Sequence, residues 1–339
     1  MIKLATRVLL LISIFSFVSC STDSENDPIK ENIGDDPQES IDSEIEIYYY
    51  SKRNGIINIF KTDKEGIETP IIVDNDHHDW WVRVSPDKQK ILWYKSPINV
   101  ASSDEFNNYD DAELWMANID GSNPEKVIDL SDYNWSAQGV ADWSPAGTEL
   151  VMAVIDESGF WHIYITANDG SNPRKISQRN SLFADPSWSP DGQKIVYTAY
   201  PVDYVGNPVN FFNLEIHVMD KDGTNEIQLT DDDQRDHDPY WSPNGKEIAF
   251  ESQWNLLHCL IGKWAIRKYN FETQLTTDVI KDDNANGLPR WTKNSEQLYF
   301  SRTICGEFTR LVRTDNNGNH LETILENTTY PFYDCDLVE

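Results

Sequence analysis

The sequence predicts an all-β protein: a six-bladed β-propeller of four-stranded blades, closed by a composite blade drawn from both termini. Three observations predict it. A Trp-Ser-Pro unit returns at blade-sized intervals, an Asp-Gly turn follows at a fixed place, and apolar residues between the two alternate with period two.

The unit reads Trp143-Ser144-Pro145-Ala146-Gly147, Trp188-Ser189-Pro190-Asp191-Gly192 and Trp241-Ser242-Pro243-Asn244-Gly245. Val84-Ser85-Pro86-Asp87-Lys88 and Trp291-Thr292-Lys293-Asn294-Ser295 are weaker copies. Successive serines (with Thr292 as the last) are 59, 45, 53 and 50 residues apart, the length of four short strands with variable loops. An alternating strand follows each turn, as in Lys194-Ile195-Val196-Tyr197-Thr198. Another, Ile216-His217-Val218-Met219, leads into Asp222-Gly223-Thr224-Asn225. Gly223 supplies the positive φ of a tight hairpin. A helical repeat is excluded by the period of two.

The ends explain the closure. Ile45 to Lys52 reads as the strand that follows a Trp-Ser-Pro turn, yet no such turn precedes it. Pro331 to Val338 falls where an innermost strand is due. One blade therefore takes three strands from the start and one from the end, which removes the exposed sheet edges that invite aggregation.

Residues 1–19 read as a signal peptide: Lys3 and Arg7 precede an apolar run, Val8 to Val18, too short to span a bilayer. Ser19-Cys20 resembles a bacterial lipobox, which implies acylation of Cys20. Residues 20–44 are the acylated cysteine and a flexible acidic tether, and residues 45–339 are the propeller. The tract Ser21 to Asp27 resembles the acidic signal of Bacteroidota surface lipoproteins. The expected location is the outer membrane, facing the periplasm or the cell surface, with the lipid anchor as the only membrane contact. With 57 acidic against 28 basic side chains and a formal charge of −29, nucleic acid is excluded as a partner.

The Trp-Ser-Pro-Asp-Gly and Asp-Gly-Ser-Asn pairs resemble the blades of TolB-like propellers, over about residues 45–339. The resemblance implies the fold and says little about function. Similar propellers precede the hydrolase domain of some serine peptidases, but neither a further domain nor a Gly-x-Ser-x-Gly elbow is found in this sequence. The repeats also resemble those of seven-bladed oligogalacturonate lyases, whose histidines hold manganese.

Function is expected on the face of the blade-to-blade loops and the long second-to-third-strand insertions. Trp80, His78, His237, Asp238 and Asp185 rim the channel there, with Tyr204 and Trp254 as outlying aromatic platforms. His78, Asp79 and His237 are the candidate ligands of a divalent cation. Phe106, Tyr109, Phe211 and Phe212 lie on the same insertions. Cys259 and Cys305 occupy comparable loops of successive blades and are the expected disulfide, with Cys305 to Cys335 as the alternative in an oxidising compartment. The reading is a monomeric binding or scaffold module for an envelope protein, glycan or peptide. A metal-dependent carbohydrate-active enzyme, lyase or hydrolase, is the alternative.

Overall fold

A computed structural model describes residues 45–63, 66–98, 111–204, 213–256, 262–305, 309–326 and 335–339. The signal segment, Cys20, the tether, Cys259 and the four phenylalanine and tyrosine residues Phe106, Tyr109, Phe211 and Phe212 lie outside the described residues.

The described chain is an all-β propeller built from antiparallel meanders. β1 (Glu46–Arg53), β2 (Ile56–Thr62) and β3 (Glu68–Ile72) begin it. β4 (His77–Val84), β5 (Lys90–Pro97), β6 (Glu113–Asn118) and β7 (Glu125–Ile128) form one sheet in chain order. The next comprises β8 (Ala137–Trp143), β9 (Glu149–Ile155), β10 (Trp161–Ala167) and β11 (Arg174–Lys175). It is followed by β12 (Phe183–Trp188), β13 (Lys194–Ala199), β14 (Glu215–Asp220) and β15 (Ile227–Gln228). An eight-stranded sheet holds β16 (Arg235–Trp241), β17 (Glu247–Asn255), β18 (Lys263–Asn270) and β19 (Leu275–Ile280). Its other members are β20 (Ala285–Trp291), β21 (Gln297–Thr303), β22 (Arg310–Asp315) and β23 (Glu322–Leu325). β24 (Cys335–Val338) then pairs with β1, Glu46 against Val338 and Tyr49 against Cys335. The sheet containing the first strands is thus completed from the far end of the chain.

Side-chain chemistry explains why the turn repeats. The hydroxyl of Ser85, Ser144, Ser189 or Ser242 accepts the amide hydrogen of the residue five positions on, at 2.9, 3.0, 2.9 and 2.9 Å. Thr292 does the same for Gln297 at 3.1 Å, so the decayed copy keeps the working atom. The serine closes its turn, and in the last copy the preceding indole reaches backwards. Trp291 Nε1 donates to the Tyr240 carbonyl at 3.2 Å, joining one meander to the one before.

The hairpin glycines do more than adopt positive φ. A Cβ on Gly223 would stand 2.0 Å from the Ile176 carbonyl oxygen, and one on Gly318 1.9 Å from that of Val279. Each hairpin tip is therefore pressed against the outer strand of the preceding meander, a contact only glycine permits.

The core lies between the sheets. Trp80, Trp93, Tyr94, Tyr197, Tyr299, Phe250 and Phe300 are among its largest fully buried side chains. At roughly 1.5–3 kcal/mol per buried large apolar side chain, these interfaces hold the ring together. Cys305 is disulfide-bonded and Cys335 is a buried thiol, so the Cys305–Cys335 bond is not formed.

Candidate functional site

The innermost strands β4, β8, β12, β16 and β20 each shift register at one β-bulge. The residues there, four before the turn serine or Thr292, are Trp81, Val140, Asp185, Asp238 and Leu288, all with positive φ. A bulge adds one residue to a strand and bends it. Non-glycine residues in this region are uncommon, and asparagine and aspartate tolerate it better than most. Trp81, Val140, Asp185 and Asp238 line a small axial cavity of about 20 Å³.

Two of the five bulge residues are thus aspartates on successive innermost strands, and the bulge on β16 lets adjacent residues, His237 and Asp238, meet at one point. His237 Nδ1 lies 3.8 Å from an oxygen of Asp185 and 3.8 Å from one of Asp238. All three side chains are buried, and none of their carboxylate oxygens or ring nitrogens makes a hydrogen bond of ordinary geometry. Buried polar groups are almost always satisfied, so six such atoms side by side single this trio out as a candidate ligand set.

Charge sharpens the point. Glu251 sits opposite His237 across the β16–β17 ladder, and its Oε2 accepts from the Leu288 amide at 3.0 Å. A Cβ on Gly287 would come within 2.3 Å of that oxygen, which explains the glycine. Burial, then the neighbouring charge of Asp238, pushes both Asp185 and Glu251 well above the usual carboxylate range. Arg235 is the local cation, over the Trp264 ring at 5.6 Å, with its pKa brought down to about 10 by burial. Burial and then Arg235 hold His237 below its ordinary value, which keeps a ring nitrogen available as a ligand. Asp185, Asp238 and Glu251 outnumber Arg235 in this cluster, and Asp142, Arg83 and Arg290 line the same axial cavity.

Among the described residues, Asp185, His237 and Asp238 are the one trio of potential ligands whose donor atoms lie within 4.8 Å of one another. Neighbouring ligands of a six-coordinate ion with bonds of about 2.1–2.4 Å stand about 3.0–3.4 Å apart. The separations of 3.8 Å are wider than that, so an ion would draw the three side chains inward. The mixed oxygen and imidazole donors fit a harder divalent ion.

The residues singled out from sequence divide sharply. Asp185, His237 and Asp238 come together. His78 and Asp79 are not members of the trio. His78 Nδ1 is occupied by the Ile57 amide at 3.1 Å, and Asp79 accepts from Trp93 Nε1 at 2.8 Å while burial raises its pKa to about 7. Trp80 is fully buried, stacked on Tyr94 with its indole N–H on Ser96, so it packs the core and presents no face to a ligand. Tyr204 stacks on Tyr200 at 4.6 Å. Trp254 is half-buried, with the amines of Lys263 and Lys281 at 5.2 and 5.3 Å from its ring. Sequence reasoning missed Glu251 and Arg235, although Arg235 lies two residues before His237 and hence on the same strand face.

A second polar cluster has the makings of a nucleophile but the wrong proton order. Ser158 Oγ is 3.1 Å from His162 Nε2 and 2.5 Å from Asp156 Oδ1. The carboxylate can only accept, so the hydroxyl hydrogen points to Asp156 and His162 donates to Ser158. His162 therefore does not act as a base on that serine.

Residues 96–328 match the family described as the TolB beta propeller domain. The chain belongs to that family. An uncharacterized protein of Agrobacterium fabrum is 31% identical to this TolB-like propeller over 114 residues, 32% of this chain and 38% of the relative. This chain thus covers well under half of that relative's length. In fold, the propeller is similar to a structure assigned as TolB from Agrobacterium tumefaciens, with TM-score 0.58, 18% identity, and 87% and 98% of the two chains covered. It is also similar to an oligogalacturonate lyase in complex with manganese, with TM-score 0.55, 14% identity, and 82% and 74% covered.

Proposed function

We propose that this TolB-like propeller is an exported binding or scaffold module, held in the cell envelope by an acylated Cys20. It engages a protein, glycan or peptide on the loop face, and Asp185, His237 and Asp238 hold a divalent cation buried within the channel. The observation that carries this reading is the buried trio with six polar atoms lacking ordinary hydrogen bonds. Bound there, the ion would supply a positive centre for an oxygen-rich ligand; Arg235 and Glu251 set the charge around it. The architecture we infer is a six-bladed ring. In support, the two halves of the eight-stranded sheet are each a four-stranded meander, joined by the single parallel pair Trp264 and Ala285.

Calorimetric titration of chelator-treated protein with manganese or calcium tests the site. Asp185→Asn and Asp238→Asn should each weaken binding about tenfold or more, as loss of a charged ligand does. Unchanged affinity in both variants sinks the assignment. A metal-dependent carbohydrate-active enzyme is the second reading, favoured by the same trio. Unsaturated product released from oligogalacturonate by the metal-loaded protein would decide for it.

A further inference from the structure

The opposite mouth of the channel, on the face of the Ser-Pro turns, opens into a cavity of about 400 Å³. It shares Asp142, Tyr240 and Arg290 with the small axial cavity, so this polar layer separates the two. Pro86, Pro145, Pro190 and Pro243, all exposed, line it as an apolar collar together with Trp143, Trp188, Trp241 and Trp291. The indole N–H groups of Trp188 and Trp241 are buried and make no hydrogen bond of ordinary geometry.

The charges lining this cavity sort into spent and available. Asp142 accepts from Trp143 N, Ser187 Oγ and Trp188 N at 2.9, 2.9 and 3.2 Å. Asp336 accepts from Val84 N and Leu337 N at 2.7 and 3.1 Å. Both carboxylates are engaged by the protein's own donors. The rim carries Lys88 and Lys293 in a molecule of formal charge −29. An acidic residue already sits on that rim: Lys88 Nζ donates to the Glu339 carbonyl, and the Lys293 amide donates to the Glu339 carboxylate at 2.7 Å.

We infer that this cavity is a second binding site, for an acidic peptide segment that seats an apolar side chain among the prolines and its carboxylates on Lys88 and Lys293. Glu339 already touches this rim, through its main-chain oxygen on the Lys88 amine and its side-chain carboxylate on the Lys293 backbone amide. The apolar collar supplies burial and the two amines supply direction, a division seen where a concave site binds through a few placed polar groups. The rim contacts are exposed, so binding weakens as salt rises.

The probe is a fluorescein-labelled, blocked pentapeptide of one leucine flanked by glutamates, titrated by anisotropy against the full chain. Lys88→Glu with Lys293→Glu should cost about tenfold or more in affinity, with an unchanged melting temperature. A serine in place of the leucine should also weaken binding. Asp238→Asn, at the other mouth, should leave peptide affinity unchanged, so failure of the cation site and failure of this one are told apart. No binding at millimolar peptide, or binding insensitive to charge reversal at the two lysines, overturns the proposal.

Discussion

His217 offers the sharpest test of how burial sets the acid stability of the ring. It lies within β14, fully buried, stacked on Tyr197 at 5.6 Å, and neither ring nitrogen makes a hydrogen bond of ordinary geometry. Burial, then the Arg179 guanidinium, lowers its pKa to about 4, with Glu226 opposing. A histidine depressed below its unfolded value of 6.5 is neutral in the fold and charged in the unfolded chain over that interval. Its contribution is therefore whole above the unfolded value and is lost as pH falls towards the folded one. Integrating between pH values near 7 and 5 gives a loss of about 2 kcal/mol from this residue. His217→Phe keeps the stacked ring and removes the titration. Urea unfolding at the two pH values should show the variant losing about 2 kcal/mol less than the parent, whatever the absolute stability of either. Equal losses in both proteins would refute the claim that His217 is held neutral by burial.

Three further outcomes follow from the architecture. Removal of residues 331–339 strips β24 from β1 and should broaden the thermal transition and promote aggregation, read by calorimetry and light scattering. Cys20→Ser should shift the protein from the membrane to the soluble fraction, since acyl chains alone would anchor it. Gly223→Ala meets both a φ of +84° and the Ile176 carbonyl, and should cost about 3 kcal/mol in urea unfolding, whereas Gly55→Ala, with open space around it, should cost less.

The turn chemistry and the joining of the ends were legible because they rest on local signals. A serine whose hydroxyl serves an amide five residues on must recur with its turn, and a strand without its preceding turn points to a partner elsewhere. The cation trio was legible only in part. Counting back from the turn serines, His237 lies five residues before Ser242, whereas His78 and Asp79 lie seven and six before Ser85. They therefore align with Arg235 and Asp236, and not with His237. Trp80 does occupy the His237 place, but there an indole fills the space between sheets. The bulge that turns Asp185 and Asp238 inward depends on backbone register, which no side-chain pattern announces. Glu251 escaped because its role arises from pairing across strands.

The pairing of Glu46 with Val338 also fixes an order of events during synthesis. When β1 leaves the ribosome, the strand that will cover its inner edge has not yet been made, and that edge waits through almost the whole chain. Bringing such distant ends together through an unfolded intervening chain would cost roughly 5 kcal/mol in loop entropy, more than one short strand readily returns. Stacking of the intervening sheets places the ends side by side and removes most of that cost. On this account closure follows the stacking of the sheets, and the edge of β1 stays uncovered until then.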